Sequence, residues 1–414
     1  MKPLFYFLFF SVFALCFSDE YEVLLENQQK LSKFLFDEEK YDKEMAPFPD
    51  DSSQYFIKKP WNYTLDIIRL KLIDVDEPKE QITVILQMMQ TWNDRRLAWK
   101  KEDFGNITGI YTRLEKVWSP PFIAFGASEV VEHRDQNHRM VKVFENGTIN
   151  AHIPLKITSN CKMDLTNFPF DTHICDIRAG LPEYNSTQFN INIWLSDDIL
   201  NSCLLGNAAW DIVDSSCGQE HVRTKDGYFD DTKMGVVKLM IKRNALYYLY
   251  MIVLPIFIIN SISIAGVFLK DTEKMDRFTI GLTHIMTMTF ILALIADNLP
   301  KSEQIPLLGR YIIFGLCTMI VALTFSTYLK KISAFFGEKL KSTRSSFGQR
   351  LRRFIGSPLR ISCIIIFQII NALAVLFLIY RFFAFEYEYG IENCVATPKT
   401  MDVIAEHFME NGFD

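Results

Sequence analysis

Two cysteine pairs and one stripe of hydroxyl, thioether and carboxylate groups are the residues whose types and spacing could do chemistry in this chain. Cys161 and Cys175, like Cys203 and Cys217, enclose thirteen residues each. In an oxidising compartment a loop of that size closes into a disulfide that stabilises by about 3 kcal/mol. Pairing by proximity leaves the other connectivities of four cysteines open. Cys394 is left over, free or bridged to a partner, and Cys317 and Cys363 fall in apolar windows, where cysteine behaves as a small apolar residue. Thr279, Thr283, Met286, Phe290, Leu294 and Asp297 recur every three or four residues, so on a helix they form one stripe, with Asp276 just before it. Carboxylates at both ends of such a stripe attract cations; packing is the other use of that spacing. His284 falls off the stripe and reads as a packed, satisfied histidine. Bond-making chemistry is poorly served. The seven histidines form no metal motif, His133 and His138 beside Glu132 read as loop residues, and no phosphate loop or nucleophile elbow occurs. An enzyme is not indicated and no cofactor or metal is implied.

The elements that must position these residues divide into two solvents. The 414 residues are 49% hydrophobic with 22% charged and a net charge of −5, too apolar for one soluble domain and too balanced for a nucleic-acid binder run by positive charge. Lys2 followed by the apolar run Leu4–Leu15 predicts a secretory signal over residues 1–18, cleaved after Ser18. Four windows without formal charge, Ala245–Phe268, Phe278–Ala296, Tyr311–Leu329 and Ile361–Tyr380, are each long enough to cross a bilayer as a helix. Residues 330–360 carry nine basic side chains and one acid, which by the positive-inside rule makes that loop cytosolic. Sequons at Asn62, Asn106, Asn146 and Asn185 all precede the first window and place residues 19–243 outside the cell. Four spans over residues 244–385 then return the tail 386–414 to the outside. Residues 20–39 place Leu24, Leu31, Phe34 and Leu35 at helical spacing, an amphipathic helix that opens the outer domain. Strand-like runs at Tyr63–Ile73, Gln81–Gln87, Arg139–Phe144, Thr148–Ile157 and Val236–Ile241 predict an antiparallel β-sandwich. The fold class is therefore an extracellular β-sandwich followed by a four-helix transmembrane bundle.

Between Cys161 and Cys175 the chain reads Lys162-Met163-Asp164-Leu165-Thr166-Asn167-Phe168-Pro169-Phe170-Asp171-Thr172-His173-Ile174. This loop resembles the signature of the Cys-loop receptors, the pentameric ligand-gated ion channels. The resemblance continues through Asp74-Val75-Asp76-Glu77, Trp92-Asn93-Asp94, Trp118-Ser119-Pro120, Lys242-Arg243 before the first window, Pro255 within it, and Met275-Asp276-Arg277 to Leu299-Pro300. It implies that Arg243 pairs with Glu77. It also implies that Phe168, Pro169 and Asp171 of the loop take part in coupling, with Phe168-Pro169 and the Glu77 turn pressing on the linker Lys301–Pro306. The stripe from Asp276 to Asp297 would then face the ions, with Thr279 and Thr283 as polar rings and Met286 and Phe290 as an apolar constriction that gates by dewetting. Acidic rings of Asp276 and Asp297 imply cation selectivity, as does the absence of the Pro-Ala insertion that anion-selective relatives carry before the basic residue; Asp276 can equally be a helix N-cap.

The ligand site matches its family least. Gln87 and Phe125 stand where aromatic residues of an acetylcholine cage are expected, Pro182 replaces a Trp, and adjacent cysteines are missing; Phe125, Tyr184 and Tyr228 stay, with Gln87, as weak ligand-binding candidates. The reading that results is a subunit of a homo- or hetero-pentamer with related subunits in the plasma membrane, the postsynaptic membrane among its placements, opened by a small extracellular ligand and passing cations amid membrane lipid. Nucleic acid is not a partner. The alternative is a non-conducting accessory subunit for binding or assembly.

Overall fold

The computed structural model describes residues 21–37, 39–47, 60–135, 138–181, 183–184, 189–196, 206–222, 232–269, 274–301, 304–341 and 358–389. The expected signal segment, Cys203, Asn185, Tyr228, Pro182 and the tail beyond residue 389 lie outside them, as does the middle of the basic loop.

Helix α1, residues 21–35, keeps only part of its predicted stripe inside, because Leu31 and Leu35 are buried while Leu24 and Phe34 stay exposed. Eleven strands follow, β1 (Trp61–Asp76), β2 (Gln81–Asn93), β3 (Gly109–Arg113), β4 (Ile123–Phe125), β5 (Ala127–Glu132), β6 (Met140–Phe144), β7 (Thr148–Asn160), β8 (Thr172–Gly180), β9 (Phe189–Leu195), β10 (Trp210–Val222) and β11 (Thr232–Arg243). One sheet runs β3-β6-β7-β2-β1-β9 with β5 also on β7, and the other runs β10-β11-β8-β4. Among the described residues all pairings are antiparallel except β1 with β9. The strict two-residue period explains the sandwich: Ile82, Val84, Leu86, Met88 and Trp92 of β2 point inward, as do Ile149, Ala151, Ile153, Leu155 and Ile157 of β7. The exposed Asn62, Asn106 and Asn146 are open to modification.

Four apolar helices follow the sandwich: α2 (Leu246–Phe268), α3 (Lys274–Asp297), α4 (Leu307–Lys341) and α5 (Pro358–Tyr389). Two of them outrun their apolar windows by more than two turns. Helix α4 continues to Lys341 and α5 starts at Pro358, so both ends of the expected basic loop are helical, and α5 carries Glu386, expected in the tail, on its last turns. Hydropathy marks what can sit in lipid, whereas a helix extends as far as its backbone bonding persists. In α2 the turn Leu249–Val253 is a π-helix directly before Pro255, whose missing N–H removes one regular helical bond.

A tight turn links β6 to β7 and secures one end of the large sheet. Gly147 has φ 79°, and a Cβ there would collide with the Asp94 carbonyl oxygen, while Asp94 N–H donates to Gly147 O at 2.8 Å. The fully buried Asp94 carboxylate in turn accepts from Tyr41 OH at 3.0 Å and from Arg96 Nη2 at 2.8 Å. Gly147→Ala is expected to cost about 1–3 kcal/mol and to lower the thermal midpoint of the purified protein, read by a fluorescence melt.

Candidate functional site

The site lies where the sandwich meets the helices, and its centre is Arg243, the last residue of β11. The side chain is 1% exposed. Its Nε and Nη2 donate to the two carboxylate oxygens of Asp171 at 2.8 and 3.0 Å, and Nη1 donates to Glu77 Oε1 at 2.5 Å and to Tyr248 OH at 3.1 Å. Three rings enclose the guanidinium, Trp210 at 4.1 Å, Phe168 at 4.7 Å and Tyr248 at 5.5 Å from its carbon to the ring centroids. Removing an arginine from water costs several kcal/mol, and the paired hydrogen bonds to Asp171, the second carboxylate and the ring faces offset that loss. The expected partner Glu77 is in place, and Asp171, placed in the same coupling group by resemblance, holds the cation through two bonds where Glu77 holds it through one.

His173 completes this cluster, with Nε2 2.7 Å from Asp171 Oδ2 and its ring 5.5 Å from Trp210. Sequence reasoning had no role for His173, Trp210 or Tyr248; the only available signal was His173 lying two residues after Asp171, on the same side of an extended chain. Burial alone would raise the pKa of Asp171, but the hydrogen bond from His173 and the Arg243 guanidinium outweigh it and hold the carboxyl below its ordinary value. The Arg243 guanidinium is pulled down by burial and pushed further up by Asp171, so it stays charged.

The disulfide Cys161–Cys175 closes the loop, with an S–S distance of 2.01 Å. The loop tip leaves the sandwich. Leu165, Phe168 and Phe170 are buried in one apolar cluster with Val253, Ile256, Met288, Ile295, Leu308 and Phe385 of the helices. Phe168 packs edge-on against Tyr248 at 4.9 Å, and Phe170 against Phe382 and Phe385 at 6.2 and 6.1 Å. The loop also caps α4: Leu307 N–H donates to Thr166 O at 3.1 Å and Leu308 N–H to Phe168 O at 3.0 Å, which satisfies donors that the first turn of a helix leaves unpaired. Arg310 Nη2 bonds Thr166 O at 3.0 Å, Thr166 Oγ1 bonds Gln304 Oε1 at 2.7 Å, and Arg381 Nη2 bonds Asn167 Oδ1 at 3.2 Å. Phe168-Pro169 and the Glu77 turn were expected to press on the linker; the hydrogen bond to it comes instead from Thr166 to Gln304, and Phe168 O meets the first turn of α4 just beyond, which has free N–H groups to offer. Lys242 adds a further tie from β11 to α5, 2.8 Å from Glu386 Oε1.

On α3 the residues Asp276, Thr279, Thr283, Met286, Phe290, Leu294 and Asp297 are all exposed, while Arg277, Gly281, His284, Met288 and Ile295 turn into the bundle. The large apolar members of the stripe are strongly exposed, Met286 at 75% and Phe290 at 64%. Asp276 is in the first turn of a helix that begins at Lys274, so it acts on the helix dipole rather than as the N-cap.

The remaining expected residues are spread over the sandwich. Cys217 Sγ lies 3.4 Å from Ile193 O of the β9 backbone, where burial raises its pKa; Cys203, its expected partner, lies outside the described residues. Among the ligand-side candidates, Gln87 sits in β2 opposite Pro154 of β7, Phe125 sits in β4 opposite Arg178 of β8, and Tyr184 packs on Phe189 at 6.1 Å in the β8–β9 connection. They occupy different sheets and one connection, so within one chain they do not form a shared cage.

Residues 28–245, more than half of the chain, match the family model of the neurotransmitter-gated ion-channel ligand binding domain. The chain belongs to the Cys-loop receptor family. Members of that family are receptor channels, not enzymes. Among its relatives is the neuronal acetylcholine receptor subunit alpha-9-I of Oncorhynchus mykiss, 27% identical over 310 residues, which are 73% of this chain and 51% of the relative. The neuronal acetylcholine receptor subunit beta-3 of Gallus gallus is 24% identical over 339 residues, 80% of this chain and 71% of the relative. A proton-gated ion channel subunit of Caenorhabditis elegans, pbo-6, is 26% identical over 267 residues, 64% of this chain and 62% of the relative. The match spans about half of alpha-9-I and 61% of the non-alpha-3 subunit of Carassius auratus.

Arg243→Gln should leave Asp171 and Glu77 facing one another without their cation, at about 3–5 kcal/mol, and Arg243→Lys should rescue only part of it because an ammonium cannot span the same fork. Thermal midpoints of the purified variants check both. Because the Asp171 pKa is depressed on folding, its stabilisation is complete above the unfolded value of about 3.9 and is lost as pH falls from there through the lower folded value. Asp171→Asn should therefore flatten the fall of the thermal midpoint below about pH 4.

Proposed function

We propose that this chain is a subunit of a pentameric, extracellular-ligand-gated, cation-selective channel of the plasma membrane, with the sandwich outside the cell. The observation that carries the reading is the coincidence on α3 of the chemical stripe with the exposed face of the helix: its other face packs against α2 and α4, so the exposed face is available to line an axis shared with other copies. Five copies would stack rings of Asp276, Thr279, Thr283, Met286, Phe290, Leu294 and Asp297. The Thr279 hydroxyl donates back to Met275 O at 3.0 Å, which leaves its lone pairs to meet a hydrated cation. Asp297 ends the helix, where a carboxylate opposes the macrodipole. The fold gains nothing from that charge, which supports a role in drawing cations to the outer mouth.

In this reading a ligand that shifts the sandwich moves β11 and the loop, and both movements reach the helices through the Arg243 cluster and the cap on α4. The agonist class is left to the relatives, which include acetylcholine receptor subunits and a proton-gated subunit, and to the dispersed Gln87, Phe125 and Tyr184. That dispersal favours one second reading, an accessory subunit that completes a site or a pore without conducting alone.

Recording from oocytes expressing the chain alone and with related subunits, screened with amines, amino acids, peptides and protons, is expected to show a ligand-evoked current that reverses with sodium. Asp276→Ala should shift the reversal potential in cation-substituted baths by reducing cation preference. Silence in every combination despite surface expression would overturn the channel reading, and currents in mixtures that ignore Asp276→Ala would favour the accessory one.

A further inference from the structure

Inside the helix bundle, independent of the outward stripe and of any channel activity, a second set of polar groups converges. Asn260 of α2, His284 of α3 and Tyr311 of α4 are 3%, 2% and 6% exposed, and all three line one cavity of about 10 Å³ together with Gly315 and Asn371. Among the described residues, Asn260 Oδ1, His284 Nε2 and Tyr311 OH are buried polar atoms without a hydrogen-bond partner. Three such atoms around one space are unusual, because a buried polar group left unsatisfied is costly.

The remaining polar atoms of these side chains are held by neighbours, which fixes what the three can do. Asn371 Nδ2 donates to Ser261 Oγ at 3.1 Å, so its Oδ1 is the acceptor for Asn260 Nδ2 at 3.3 Å, and that leaves Asn260 Oδ1 turned to the cavity as an acceptor. His284 Nδ1 lies 3.2 Å from Ser263 Oγ; in the tautomer that donates there, Nε2 is a second acceptor. The Tyr311 hydroxyl supplies a donor. Gly315 makes the approach possible, since a Cβ on it would lie 2.9 Å from Asn260 Nδ2.

We propose that this cavity is a binding site for one water molecule, which donates to Asn260 Oδ1 and His284 Nε2 and accepts from Tyr311 OH. The volume suits a single water, and three bonds are what a buried water typically makes. An apolar guest would leave all three groups unsatisfied, and an ion would meet no charged ligand in the lining. The bridge ties α3, which carries the outward stripe, to α2 and α4 of its own subunit, and through Asn371 to α5. His284, expected to be a packed, satisfied histidine, completes its bonding through this water.

Two measurements on the full-length assembled protein test the site. Electron cryomicroscopy in lipid nanodiscs, at a resolution that shows ordered water, is expected to reveal one isolated peak within about 2.7–3.2 Å of the three atoms and to lose it in Tyr311→Phe. No peak with the three side chains in place, or density extended beyond a single atom, would overturn the proposal. In thermal melts, Tyr311→Phe should lower the midpoint in the native background and lose at least half of that effect in Asn260→Leu, because both changes release the same water. Equal losses in both backgrounds would overturn it.

Discussion

One buried cation organises the junction of this protein. Arg243 is covalently the end of the last strand and sits three residues before the first membrane helix, so whatever holds its side chain holds the two domains in register. Asp171 from the loop, Glu77 from the first strand turn, Tyr248 from α2 and Trp210 from β10 all meet it. Each would be left with an uncompensated polar group or an empty ring face if the others moved, so the cluster holds sheet and helices together as one unit.

The disulfide-closed loop has the complementary role. Its base is stitched into the sandwich through β7 and β8, while Leu165, Phe168 and Phe170 are counted physically in the core of the helices. A loop that exchanges its own packing for that of another domain must satisfy its backbone there too, and the carbonyls of Thr166 and Phe168 do so by capping α4. The result is two hydrophobic cores joined by a hydrogen-bonded, charge-compensated seam rather than by a flexible linker.

Much of the architecture was legible beforehand for reasons tied to particular residues. Alternation in β2 and β7 reveals strands because a sheet face repeats every two residues, whereas β4 with three residues and the half-exposed β5 are too short or too irregular to carry that signal. The stripe on α3 was legible because 3.6-residue periodicity survives in the sequence. Helix length in α4 and α5 was not, since charged residues continue a helix past the bilayer without changing its backbone.

The sequence by itself determined the class of the molecule: apolar windows, sequons and basic-loop charge depend on composition, and the loop between Cys161 and Cys175 on a run of adjacent residues. Only the tertiary structure decided who meets whom. That Asp171 grips Arg243 through two bonds, that the loop caps α4, and that Asn260, His284 and Tyr311 face one cavity all join residues dozens to more than a hundred positions apart. Such contacts depend on how sheets and helices pack, and packing leaves no local period in the chain to read.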